Sequence, residues 1–132
     1  MKILLVSHGE FAHGMCRTAR AFLGVDNVYD ACVTEDGGTK ALLDRVNGFL
    51  RAWGDEQVVI CSDLRGGSAN QAVLPLVKRP NTYIISGANF ALLLQLAVKQ
   101  KVTVELLREM VKEAQDDLEL MNEIEASVDI EV

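Results

Sequence analysis

Apolar residues along this chain fall into two alternating kinds of run. Lys2-Ile3-Leu4-Leu5-Val6-Ser7-His8 passes from a charged start through an unbroken apolar block to a polar end. A block this short and this apolar suits a strand buried on both faces. Gly9 closes it, because glycine takes the turn out of a strand without steric cost. Val28 to Val33, Gln57 to Ser62 and Thr82 to Ser86 read the same way. Between these blocks the apolar spacing is helical. Phe11, Met15, Ala19, Phe22 and Leu23 form a stripe within Glu10 to Leu23, with Gly24 as the stop. Leu42, Leu43, Val46, Phe49, Leu50 and Trp53 form another within Lys40 to Trp53. Thr39 is expected to cap that helix and Gly54-Asp55 to break it. Ser68 or Gly67 opens a helix to Lys78, which Pro75 should bend or shorten. Arg79-Pro80-Asn81 is a turn, and Asn89 should cap a helix to about Lys99. Val104 to about Ile124 reads as one longer amphipathic helix. Ser127 to Val132 alternates and reads as a short terminal strand.

Strands alternating with helices predict an α/β fold. The expected sheet is open and mostly parallel, with four parallel strands, right-handed crossovers and helices on both faces. Residues 1–132 are expected to form a single domain. The alternating last segment suits an antiparallel edge strand, added to a partner's sheet.

Composition narrows the function classes. The net charge of −6 and the lack of a basic stripe argue against nucleic-acid binding. Three scattered cysteines, Cys16, Cys32 and Cys61, form no C-x-x-C pair, so neither a disulfide framework nor a zinc knuckle is expected. Cys32 and Cys61 sit in apolar runs as small core residues. There is no basic-then-apolar leader and no apolar run near 18 residues, so a cytoplasmic protein is expected.

Two strand ends carry polar groups. The first ends in Ser7-His8-Gly9, and the third in Ser62-Asp63 followed by Leu64-Arg65-Gly66-Gly67-Ser68. In open α/β sheets the carboxyl edge is where ligands and chemistry collect. If the two strands are neighbours, Asp63 reaches His8, selects the protonated ring nitrogen and leaves the other as nucleophile. Gly66 and Gly67 let backbone N–H groups approach an anion, and the helix opening at Ser68 adds partial positive charge. These parts describe a histidine nucleophile beside a phosphate cradle. G-x-S-x-G and G-x-x-x-x-G-K-[ST] are both absent, so neither an ordinary hydrolase elbow nor ATP use is indicated. Arg65 reads as a loop charge within reach of phosphate or a partner. His13 reads as a helix-surface residue and Asn89 as a structural cap.

Three motifs in register carry a resemblance over essentially the full chain. They are Ser7-His8-Gly9, then Asp63-Leu64-Arg65-Gly66-Gly67-Ser68 with Asn70, then Ser86-Gly87-Ala88-Asn89. Together they resemble the enzyme IIA domain of the mannose-type (mannose/fructose/sorbose) sugar phosphotransferase system. Two departures stand in the second motif: Ala69 replaces a common proline, and Asn70 sits one place early. The resemblance implies that His8 accepts a phosphoryl group from phospho-HPr and passes it to enzyme IIB, with the membrane components IIC and IID downstream. It implies that Asp63 orients His8, and that Gly66, Gly67, Ser68 and Arg65 hold the phosphoryl group. It also implies that no metal or nucleotide cofactor is needed, and that a homodimer exchanges its C-terminal strand. Similar domains occur in transcription-control and dihydroxyacetone-kinase systems, which supplies the alternative of a regulatory phospho-acceptor module. A flavodoxin-like small-molecule binding module is the remaining alternative.

Overall fold

A computed structural model describes residues 1–127. Four strands, β1 (Lys2–His8), β2 (Val28–Val33), β3 (Val58–Ser62) and β4 (Thr82–Ser86), form one parallel sheet in the order β2-β1-β3-β4. The connecting helices are α1 (Phe11–Leu23), α2 (Gly38–Trp53) and the short α3 (Ser68–Val73). A 3₁₀ segment, Leu74–Lys78, follows α3, and then come α4 (Phe90–Ala97), α5 (Val104–Gln115) and α6 (Met121–Ser127).

Successive strand residues point to opposite faces of the sheet, so each buried strand feeds two cores. Ile3, Leu5, Val59 and Cys61 pack with Ala12, Cys16, Leu92, Leu96, Leu107 and Met110, which places α1, α4 and α5 on one face. Leu4, Val6, Ala31 and Ile60 pack with Leu42, Val46, Ala69 and Val73, which places α2 and α3 on the other. The unbroken apolar run of β1 is therefore a requirement of two-sided burial. Burying Leu4 or Leu5 there contributes about 2 kcal/mol each.

Three local expectations are corrected. Thr39 is not the cap of α2, because the helix begins at Gly38 and Thr34 turns the chain instead, its Oγ accepting from Gly37 N–H at 3.1 Å. Val104 to Ile124 is not one helix, since α5 ends at Gln115 and α6 starts at Met121. Ser127, expected to open the terminal strand, closes α6, and the rest of that segment, 128–132, lies outside the described residues. Pro75 acts as expected: α3 stops at Val73 and the chain tightens into the 3₁₀ segment. Among the described residues no helix is long and apolar enough to cross a membrane.

Candidate active site

The chain runs from β1 to β2 on one side and from β3 to β4 on the other, so strand order reverses between β1 and β3. Crevices at such a switch point, at the carboxyl ends of the strands, are where open α/β sheets bind ligands. His8 is the last residue of β1, and Asp63 is the first beyond β3. Asp63 N–H donates to the Val6 carbonyl at 3.2 Å, extending the strand ladder one step into the loop.

The backbone of His8 is held at both ends. Its N–H donates to Asp63 Oδ2 at 3.0 Å, and its carbonyl accepts from Ser7 Oγ at 3.1 Å. The buried Ser7 hydroxyl also accepts from Ala12 N–H at 2.7 Å, which ties the start of α1 to the end of β1. Between them Gly9 turns with φ +52°, a left-handed value that glycine adopts freely.

The imidazole is held at both nitrogens. Nδ1 lies 3.2 Å from Asp63 Oδ2, and Nε2 lies 2.6 Å from Ser68 Oγ. An ionised carboxylate only accepts, so Nδ1 carries the proton and donates to it. Nε2 then has a free lone pair, which accepts from the Ser68 hydroxyl. The His8 side chain is 50% exposed and that of Asp63 only 15%, so a half-exposed imidazole rests on a sheltered acid. Asp63 is not a helix cap: its second oxygen accepts from Leu64 N–H at 2.9 Å.

The glycine loop is tightly tied. Gly66 sits at φ +80°, and its N–H donates to Asn70 Oδ1 at 3.0 Å. Gly67 N–H donates to the Leu64 carbonyl at 3.0 Å. Both N–H groups expected to face an anion thus have acceptors within the chain, one on α3 and one in the loop. What Gly67 supplies to the site is room: a Cβ there would fall 3.3 Å from His8 Cε1 and 3.2 Å from the Leu64 carbonyl oxygen. Ser68 opens α3, one of the two starts expected, and makes no capping bond. Arg65 is exposed and makes no hydrogen bond or ion pair among the described residues.

The structure therefore brings His8, Asp63, Gly67 and Ser68 into contact, sets Gly66 one step behind, and leaves Arg65 at the rim. Sequence reasoning gave no role to Ser7, Asn70 or Gln71. Asn70 is buried, and it donates to Ser62 Oγ at 2.9 Å while accepting from Gly66. The sequence marked it in two ways, as part of the second motif and as a poor helix former placed inside a helix. His13 is the helix-surface residue expected, half exposed and 3.2 Å from Asp30 of β2. Asn89 caps α4 as expected, accepting from Leu92 N–H at 2.9 Å. Cys61 is core: burial pushes its thiol up to about 12, which rules it out as a thiolate at neutral pH. Burial also raises the thiol of Cys16.

Residues 2–115 match the family model described as the phosphotransferase system fructose IIA component, of the mannose type. The chain belongs to the mannose-type IIA family of the sugar phosphotransferase system. A IIA protein associated with the fucose utilization operon of Streptococcus pneumoniae is 26% identical, with a TM-score of 0.76, covering 93% of this chain and 94% of that one. The mannose/sorbose specific IIA subunit of Enterococcus faecalis is 19% identical, with a TM-score of 0.81, covering 99% and 96%. A sigma-54 interaction domain protein from Enterococcus faecalis shares the fold at 14% identity, with a TM-score of 0.73, covering 96% and 97%. A search of curated proteins finds no match. The likeness to IIA structures agrees with the parallel α/β sheet expected from the sequence.

Proposed function

We propose that this IIA component carries phosphoryl groups on His8 Nε2, from phospho-HPr to an enzyme IIB, during coupled sugar uptake and phosphorylation. The observation that carries this reading is the pair of contacts on one ring: Asp63 on Nδ1 and a hydroxyl on Nε2. The Nε2 lone pair attacks phosphorus, and the phosphorus–nitrogen bond to the donor's imidazole breaks. The donor ring keeps that electron pair. Nδ1 of His8 keeps its proton, and the Asp63 carboxylate balances the positive charge that develops on the ring. Ser68 turns its hydroxyl from the nitrogen to a phosphoryl oxygen. The N–H groups of Ser68 and Ala69, at the start of α3 with no intrahelical acceptor, add donors, and Arg65 adds charge from the rim. Phosphoryl transfer asks mainly for positioning and charge stabilisation, so the step as written uses neither metal nor nucleotide.

The test is incubation with phosphoenolpyruvate, enzyme I and HPr, followed by intact-mass measurement. The expected result is a gain of one acid-labile phosphoryl group, absent from His8→Ala. No gain on the wild-type chain would favour the small-molecule binding module. The likeness to the sigma-54 interaction domain protein favours a second reading, a regulatory phospho-acceptor. Adding a IIB acceptor separates the two: a transport component discharges to it, and a purely regulatory one stays labelled.

The same reading includes a homodimer in which residues 128–132 pair with β4 of a second copy. In its support, β4 is an edge strand, and an apolar groove of about 730 Å³ runs beside it between Tyr83, Ile85, Val104 and Val111.

A further inference from the structure

We infer that Gln71 is a positioning residue for phosphoryl arrival at His8, clamping from outside the diglycine loop that seats Gly67 and Ser68 against the imidazole. This rests on the reading of His8 as the acceptor.

Two adjacent glycines are the most freely rotating stretch a backbone can contain. Here two consecutive peptide planes at that stretch are pinned by three bonds. The Arg65–Gly66 plane is held through Gly66 N–H on Asn70 Oδ1, at 3.0 Å. The Gly66–Gly67 plane is held at both ends. Its N–H donates to the Leu64 carbonyl at 3.0 Å, and its carbonyl accepts from Gln71 Nε2 at 2.8 Å.

The two amide side chains differ in how they are supported. Asn70 is buried, and its own amide donates to Ser62 Oγ at the end of β3, so it belongs to the core as much as to the loop. Gln71 is exposed on α3, and among the described residues its side chain makes this one bond. A glutamine in that position is ordinarily solvated, and its loss leaves the core intact. The plane it holds leads directly into Gly67, where a Cβ would already crowd the His8 ring at 3.3 Å. It leads next into Ser68, whose hydroxyl lies 2.6 Å from the nucleophilic nitrogen. Freed of Gln71, the plane is tethered at its N–H end alone. Rotation then moves Gly67 against the ring and Ser68 away from the incoming phosphoryl group. In-line transfer is steep in such displacements, since a shift of about 1 Å costs on the order of a hundredfold in rate.

The experiment compares wild type with Gln71→Met, which keeps length without a donor, and Gln71→Lys, which keeps a donor. Phosphorylation of His8 is followed against phospho-HPr concentration, and hydrogen exchange of the Gly67 amide is followed by NMR. The expected result for Gln71→Met is a three- to tenfold fall in the saturating rate, on the order of one lost hydrogen bond. Half-saturation stays unchanged, and Gly67 exchange accelerates. Gln71→Lys restores protection of the Gly67 amide. A wild-type saturating rate in Gln71→Met overturns the inference, as does a change confined to half-saturation. Unchanged Gly67 exchange overturns it as well. If the wild-type chain takes up no phosphoryl group, the functional reading fails instead, and the Gly67 exchange still decides whether Gln71 holds the loop.

Discussion

One carboxylate oxygen, Asp63 Oδ2, faces both the backbone N–H and the ring Nδ1 of His8, at 3.0 and 3.2 Å. The other oxygen takes Leu64 N–H. All three neighbours donate, so an amide cannot satisfy them: in Asp63→Asn the NH₂ group must oppose a donor in either orientation. It also lacks the charge that balances a phosphorylated imidazolium. Asp63→Asn is therefore expected to slow phosphoryl arrival at His8 on the order of ten- to hundredfold. The domain should stay folded, as reported by the fluorescence of Trp53, which stacks on Phe49 in a half-buried cluster. A wild-type transfer rate in this variant would remove Asp63 from the mechanism. His8 and Asp63 were legible in the sequence because each ends an apolar strand. The contact of Ser68 with Nε2 was not, because nothing in a serine's neighbours says which nitrogen it will meet.

Elements were read best where a side chain signals its own end. Asn89 has the extended backbone of a cap, takes Leu92 N–H, and donates to the last turn of α5 through the Ala114 carbonyl at 2.7 Å. Asn89→Ala is expected to cost about 1–2 kcal/mol, read as a lowered urea midpoint at unchanged slope. Elements were read worst where a helix ends for want of something to pack on. The stripe of α5 buries Leu107, Met110 and Ala114 and then runs past its support, leaving Leu118 90% exposed. Asp116 and Asp117 follow at a helix C-terminus, where the dipole disfavours negative charge. Periodicity alone carried the predicted helix through this point. Arg79 was read only as part of a turn. Its guanidinium instead holds the Leu50 carbonyl at 3.1 Å and the Gly54 carbonyl, closing the end of α2, and also donates to Thr82 Oγ at 2.9 Å. A long side chain that bridges distant elements leaves no local mark.

At the scale of the whole molecule, an open parallel sheet leaves two edges. Among the described residues β2 and β4 occupy them, and the apolar groove lies along β4. If the chain's last segment covers that edge in a second copy, a protein shortened to residue 127 sediments as a monomer while the full chain sediments as a dimer. Two dimers, or two monomers, would exclude strand exchange through residues 128–132.

The sequence by itself determined the alternation of strands and helices, the two-sided burial of the sheet and the turn after His8. These rest on spacing and backbone freedom within a few residues. Only the tertiary structure decided that β1 lies against β3 and that residues 8, 63 and 68 meet on one ring. Strand order follows from how all the apolar faces are buried at once. Hydrogen-bond partners more than fifty residues apart are chosen by that global packing, which no local pattern encodes.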